Sequence, residues 1–334
     1  MLVPFLRSSL LGNWELCQTQ CILTYGLGME NRAGAAASMG SCVHKMMELR
    51  ALASIAKKNG QSSFNYEDWG VLEVDWAIDL DQTIEKCHAN QLILDNHVNP
   101  EKIIKSKILD WAKRAIEDYP QYDPINLNIM SVEQYFDLEI KEDWAKYSQE
   151  INGELYEGYL RIKGTIDCLI AHNDDIIEVF DFKSGSRKNF ATGEIKTLEY
   201  LRKDKQLLFY LYALNKLFPN KNFIMTLYFI NDGGIYSVHG DNEMLEDASE
   251  MIKKTYKEIL NTKLPSVLDP KRSDFRCRHC CKYSKTDSYT RGLSVCEFMQ
   301  NKFKTIGVDK TVEKYGNIKS IMSYGSGGGK IKDE

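Results

Sequence analysis

The sequence predicts an α/β protein with a helical N-terminal part, a strand-rich middle and a cysteine-bearing C-terminal segment. Three observations carry this. Apolar residues recur at helical spacing up to about residue 118. From 131 to 183 the chain turns to β-branched and aromatic residues in partial alternation, which is how strands read. A strong amphipathic stretch at 204–218 then separates those strands from a further apolar run at 223–231. With 334 residues, 43% of them hydrophobic, the chain buries a sizeable core without staples.

Leu10 to Tyr25 reads as a helix, followed by a small-residue loop from Ala33 to Gly40. Val43 to Ala56 reads as a second helix, with Val43, Met46, Met47, Leu49 and Leu52 near helical spacing. Two more helices are expected at about 77–96 and 101–118, the later one opened by Asn99-Pro100. Tyr119-Pro120 and Asp123-Pro124 end this helical part, because a residue before proline is pushed out of the α basin. Strands are expected over 131–140, 155–171 and 176–183, and a helix over 204–218 that stops at Pro219. Asp232-Gly233-Gly234 is a turn signal between strands at 223–231 and 235–239. A helix at 243–261 precedes the cysteine segment 277–296, a further helical stretch, and a Gly/Ser/Lys tail (325–334) that reads as disordered. The implied parts are 1–30, a helical region at 31–128, a core at 129–270, a cysteine segment at 271–300 and a C-terminal helix with tail at 301–334.

The net charge of −4 hides an asymmetry. Residues 271–334 hold 14 basic and 7 acidic side chains, a net of +7, so 1–270 carries −11. A basic end on an acidic body keeps a nucleic-acid partner open. The N-terminus does not read as a secretory signal. The longest clean apolar run, Phe223 to Ile230, is too short for a membrane span. A cytoplasmic protein is expected, in a bacterium or in the host of a phage. Nine cysteines in that setting are metal ligands, reactive thiols or small buried residues rather than a disulfide framework.

The chemistry concentrates in one hairpin. Gly164-Thr165-Ile166-Asp167 leads into Cys168 to Ala171, and Ile176 returns to Asp181-Phe182-Lys183-Ser184-Gly185. Carboxylates in strands otherwise filled with Ile, Leu, Val and Phe are costly to desolvate without a partner, and a divalent cation is one such partner. Asp181 and Lys183 are two apart, so they project from one face. If residue 172 closes opposite 176, Asp167 falls opposite Asp181. Two carboxylates and an ammonium would then converge, which suits Mg²⁺- or Mn²⁺-assisted phosphodiester hydrolysis. An isolated Asp-x-Lys is commonly a surface ion pair; the ordered set is more specific.

Those residues resemble the RecB-like branch of the PD-(D/E)XK nucleases. That branch shows a Gly-x-x-Asp strand, an Asp/Glu-x-Lys strand running into Ser/Thr-Gly, and a helix with Gln-x-x-x-Tyr, matched here by Gln206 and Tyr210. The resemblance implies a restriction-endonuclease-like fold, a mixed central sheet flanked by helices. It implies Asp167, Asp181, Lys183, Gln206 and Tyr210 as catalytic residues. It also implies His44 as a further metal ligand beside Asp167 and Asp181, because Gly40-Ser41-Cys42-Val43-His44 with Glu48 matches the branch's Gly-x-x-x-His-x-x-x-Glu pattern. A lone helical histidine is more often structural. Glu133 matches an acidic residue on the branch's first core strand, where a glutamate is usually just solvated.

Cys277 and Cys280 form a Cys-x-x-Cys, and Cys296 follows. By spacing alone this suits zinc as well as an iron–sulfur site. The resemblance extends to an iron–sulfur subgroup that includes AddB-type subunits and CRISPR-associated iron–sulfur exonucleases. It implies a [4Fe–4S] cluster held by one N-terminal cysteine and three after the core. Cys17 falls on the N-terminal position, with Gln18 where the subgroup has proline. The implied set is Cys17, Cys277, Cys280 and Cys296, with Cys21 and Cys281 in reserve, while Cys42, Cys87 and Cys168 read as buried core residues.

Lys183, Arg187, Lys188, Lys196, Arg202, Lys203 and Lys205 form one basic stretch, and Lys271, Arg272, Arg276, Arg278, Lys282, Lys285 and Arg291 another. Both suit phosphate contacts, with Phe275, Tyr283 and Tyr289 as base-stacking residues. The expected function is a single-strand DNA exonuclease in recombination, repair or end processing. The alternatives are a zinc-stapled, non-catalytic DNA-binding adaptor and a structure-specific endonuclease subunit of a helicase–nuclease. The sequence holds no helicase phosphate loop, so a motor would come from a partner. Homo-oligomers occur in the family.

Overall fold

The computed structural model describes residues 3–29, 34–66, 69–188, 193–231, 234–268, 274–277, 281–285, 290 and 292–317. The C-terminal tail and the turn residues 232–233 lie outside them.

The chain opens with a two-residue strand, β1 (Phe5–Leu6), too short to show a period. The single helix expected from Leu10 to Tyr25 is three pieces: α1 (Ser8–Leu16), α2 (Gln18–Cys21) and a π-helical turn over Ile22–Gly26. The break is Cys17, whose backbone is extended at φ −158° and ψ 101° and whose sulfur accepts from the Gln20 N–H. Gln18 therefore occupies the first position of a new helix, where proline is also at home.

The loop expected at 33–40 is instead the first turns of α3 (Ala35–Lys58). Alanine has the best intrinsic helix propensity, and a run of it continues a helix that the apolar pattern only marks from Val43. A hairpin that the apolar pattern does not show, β2 (Ser63–Tyr66) with β3 (Gly70–Glu73), follows. The helical part continues with α4 (Val74–Ile78), α5 (Leu80–Leu94) and α6 (Lys105–Glu117).

The central strand β4 (Ile129–Glu139) is followed by a side hairpin, β5 (Lys146–Ile151) and β6 (Glu154–Tyr159). The strand expected at 155–171 is thus two, β6 and β7 (Arg161–Ala171), separated at Leu160. β8 (Ile176–Lys183) returns antiparallel to β7. Its register runs from Cys168 opposite Phe180 to Ala171 opposite Ile177, as the short loop requires. A crossover through α7 (Leu198–Arg202) and α8 (Lys205–Leu217) brings β9 (Asn222–Phe229) parallel to β8, and β10 (Gly234–Gly240) pairs antiparallel to β9. Helices α9 (Asn242–Asn261), α10 (Val295–Ile306) and α11 (Val308–Tyr315) complete the described chain.

The sheet order is β1-β7-β8-β9-β10, with β4 also on β7. It is the mixed central sheet flanked by helices that the sequence suggests. β7 carries β4 along one edge and divides the other between β1 at its start and β8 at its end. On one face α8 buries Phe209, Tyr210 and Leu214 in a cluster with Ile166, Val179 and Met225. On the other, α3 buries Val43, Met46 and Met47 in a cluster with Cys168, Phe180 and Tyr228. Cys42, Cys87 and Cys168 are buried in that second cluster, where they behave as small apolar residues. Among the described residues no helix is long and apolar enough to cross a membrane.

Candidate active site

The site forms where β7 and β8 part. Their ladder stops at the Cys168–Phe180 pair. One residue further, the Phe182 N–H donates to the Asp167 carboxylate at 2.8 Å, so a side chain takes over from the strand. The fork leaves room between the two strands and places Asp167 and Asp181 at its base.

Asp181 is 1% exposed and forms an ion pair with the Lys183 ammonium. Lys183 also donates to Gln206 Oε1 at 2.7 Å. Gln206 Nε2 donates to Asp181 Oδ1 and to the Tyr210 hydroxyl, each at 2.8 Å. The Tyr210 hydroxyl in turn donates to the Thr165 carbonyl at 2.8 Å. The one-turn spacing of Gln206 and Tyr210 lets a single face of α8 span both strands of the fork. Asp204 fixes the start of that helix by accepting from the Gln206 and Leu207 N–H groups. Its capping role belongs to a residue type favoured at that position, but nothing in the spacing ties it to the site.

From the opposite face α3 delivers His44, whose Nδ1 lies 3.4 Å from Asp167 Oδ2. Its ring meets Phe182 edge-on at 6.2 Å between centroids. Gly40, one turn earlier, allows the approach: a Cβ there would stand 2.3 Å from Ser184 Oγ. One turn later Glu48 binds Lys45 at 2.7 Å, and Lys45 also reaches the Tyr66 hydroxyl. The β4–β7 register puts Glu133 opposite Asp167. Its backbone has φ +47°, a left-handed conformation that non-glycine residues rarely adopt. The sequence shows the glutamate but not this geometry.

Burial pushes the carboxyls of Asp167 and Asp181 up to about 6. Glu133 is displaced upward as well, by desolvation first and by Asp167 next, although the residue as a whole is exposed. Burial holds His44 below its ordinary value, leaving a neutral imidazole able to offer a ring nitrogen. Lys183 is shifted upward: its burial acts the other way but is outweighed by Asp181. Among the described residues, no three His, Cys, Asp or Glu side chains already enclose a common point. The donor set nevertheless fits a hard cation. Asp181 Oδ2 is buried and accepts no aligned hydrogen bond, with the Lys183 ammonium as its ion-pair partner.

The second candidate centre joins the two ends of the chain. Cys17, Cys277, Cys281 and Cys296 line one cavity of about 640 Å³, together with apolar residues such as Leu16 and Leu23. Cys280 lies outside the described residues, as do Arg278, His279, Tyr289 and Arg291. Of the two reserve cysteines, Cys281 is in this cavity. The Cys21 thiol is buried elsewhere, directed at the Leu10 carbonyl. Hydrogen bonds already tie the ends here: Thr19 N–H to the Ser266 carbonyl at 2.9 Å, and Asn317 N–H to the Leu27 carbonyl at 3.0 Å.

Tyr283 is buried. It is 4% exposed, and its hydroxyl meets Thr24 and the Met29 carbonyl, so the stacking role expected for it is corrected. Phe275 is exposed. Arg202 is paired with Asp241 and Glu243, and Lys205 with Glu15.

The PD-(D/E)XK nuclease superfamily model matches residues 11–285. A crystal structure of a protein provisionally assigned as an exonuclease, from Eubacterium rectale, superposes with a TM-score of 0.47 at 12% identity, covering 86% of this chain and 92% of that one. A second, of the protein SSO0001, gives a TM-score of 0.28 at 15% identity, with 63% and 85% covered. A search of curated proteins returns no match.

Proposed function

Since this chain belongs to the PD-(D/E)XK nuclease superfamily, we propose that it is a divalent-cation-dependent DNA nuclease, specifically a single-strand exonuclease with an iron–sulfur cluster. The observation that carries the reading is the continuous Lys183–Asp181–Gln206–Tyr210 network beside Asp167 at the fork. Asp167, Asp181 and the neutral His44 would hold Mg²⁺ or Mn²⁺. Bound there, the ion supplies an acidified water and neutralises charge on the phosphoryl oxygens. Lys183 stays an ammonium, because its upward shift keeps it protonated at neutral pH. It therefore offsets negative charge on the phosphorus-bound oxygens instead of taking a proton from water. Gln206 keeps that ammonium and the Asp181 carboxylate in fixed relation. The recessed acids favour a flexible single strand, whose phosphodiester can enter the fork.

In the second centre Cys17, Cys277 and Cys296, with Cys280 or Cys281, would hold the cluster as thiolates. Four thiols on one cavity wall support this, and zinc is the competing occupant.

The decisive assay incubates the protein with single-stranded DNA and Mn²⁺ beside Asp181→Asn and Lys183→Ala. Degradation by the parent alone is expected; equal degradation by all three would end the catalytic reading. Protein isolated without oxygen should be brown and carry iron and sulfide. Colourless protein with stoichiometric zinc would refute the cluster.

A further inference from the structure

The ribbon of β4 and β7 has two unlike faces. One is packed: Phe136, Ile162 and Ile166 are at most 2% exposed, with Phe136 against Phe209 and Tyr210 of α8. The other is open and leads away from the catalytic acids. Along it Tyr135, Asp137 and Glu139 stand opposite Thr165, Lys163 and Arg161, and the row ends at Asp167. Tyr135 is 41% exposed.

β1 joins β7 on the edge away from β4. Phe5 pairs with Arg161 and Leu6 with Ile162, which sets Arg7 beside Lys163. Most charges on this face cancel. Asp137 takes Arg161 at 2.6 Å and Lys163 at 3.2 Å, and Glu139 lies 3.9 Å from Arg161. Arg7 is the exception: among the described residues it makes no ion pair, and its Nε is buried without a hydrogen-bond acceptor. Burial and the neighbouring Asp137 raise the Tyr135 hydroxyl, and the positive charges of Arg7 and Arg161 act against that shift. The Arg7 Nε is shielded from any incoming ligand, but Arg7 as a whole is half-buried, so it is the outer part of the guanidinium that an anion can meet, and a phosphate or carboxylate is the anion that suits it. Four strand residues from Asp167 place this cation about 13 Å along the ribbon from the acids.

We propose that this open face is the path of the single-stranded DNA beside the scissile bond, with Arg7 holding a backbone phosphate and Tyr135 supporting a base. The inference rests on the nuclease reading and adds the direction in which the strand leaves the fork. Charge selects the occupant: the unpaired group is cationic, its neighbours are neutralised, and the row is continuous with the phosphodiester site. Arg7 is a binding residue in this assignment, remote from the reacting atoms.

The test measures KM, kcat and the salt dependence of binding for a 12-nucleotide strand and for a dinucleotide, using the parent, Arg7→Gln and Arg7→Lys. Arg7→Gln should raise KM for the long strand about ten-fold. The slope of log affinity against log salt should shrink by about 0.7, the loss of one phosphate contact. Arg7→Lys should restore the slope. Anisotropy with a labelled strand, in protein also carrying Asp181→Asn, reads binding without turnover. Parental KM and slope in Arg7→Gln would overturn the path while leaving the nuclease intact. An equal loss on dinucleotide and long strand would also overturn it, by marking a structural role. A parent that degrades no single strand removes the functional reading and this inference with it.

Discussion

Asp167 serves as both strand partner and acid. Its carboxylate accepts the amide that β7 leaves unpaired, while burial lifts its pKa to about 6 from an ordinary 3.8. A folded-state pKa above the unfolded one means that the native protein binds more protons between those values. The stability is therefore complete below pH 3.8 and is lost as pH rises through about 6. In chelator, Asp167→Asn should be no more stable than the parent at pH 4, and more stable at pH 8 by about 2–3 kcal/mol, from denaturant titrations. Equal stabilities across that range would count against the burial argument. The convergence of Asp167, Asp181 and Lys183 was legible because it depends on strand period and a short loop, whereas Gln206 and Tyr210 were singled out only by the family resemblance. The left-handed Glu133 and the capping Asp204 were not legible, since backbone angle and cap partner leave no periodic trace.

At the scale of elements, α3 must come close to the end of β8. The contact is Gly40 against Ser184, with 3.1 Å from a built Cβ to Ser184 Cβ. Gly40→Ala should push Ser184 away and disturb Lys183, lowering kcat by roughly ten-fold with little change in unfolding midpoint. Adding Ser184→Gly should recover much of it; steady-state kinetics of the two variants decide. α3 is held from its other side by Arg50, which is 4% exposed and bonded to Asp123 and the Ile78 carbonyl. Arg50→Met strands a buried carboxylate and should cost about 3–5 kcal/mol in chemical denaturation. The helix was only partly legible. Its apolar period begins at Val43, whereas Ala35 to Met39 join because they are good helix formers beside a packed neighbour.

For the whole molecule, the strand-rich middle and helical flanks followed from composition and period. The ends did not. β1 is two residues long, and its place in the sheet depends on contacts with β7 more than 150 positions away. The break at Cys17 is fixed by packing and by the tie of Thr19 to Ser266. Such long-range terms are invisible to a window of neighbouring residues. They matter here because the N-terminal segment supplies β1, Arg7 and one thiol of the cysteine-lined cavity. If the proposed cluster is held there, its loss should loosen both ends together, because in such sites binding energy is folding energy. Cys17→Ser should therefore raise proteolytic nicking in both terminal segments while the central sheet persists; nicking confined to one segment would contradict this.

The fork also contains its own reporter. The Phe182 amide donates to an oxygen of Asp167, so its proton senses whether that carboxylate is ionised, protonated or shared with a cation. In a two-dimensional nitrogen–proton spectrum this one resonance should titrate with pH near 6 and move again on adding Mg²⁺. Occupancy of the centre then becomes readable at one backbone position, in solution, with no nucleic acid present.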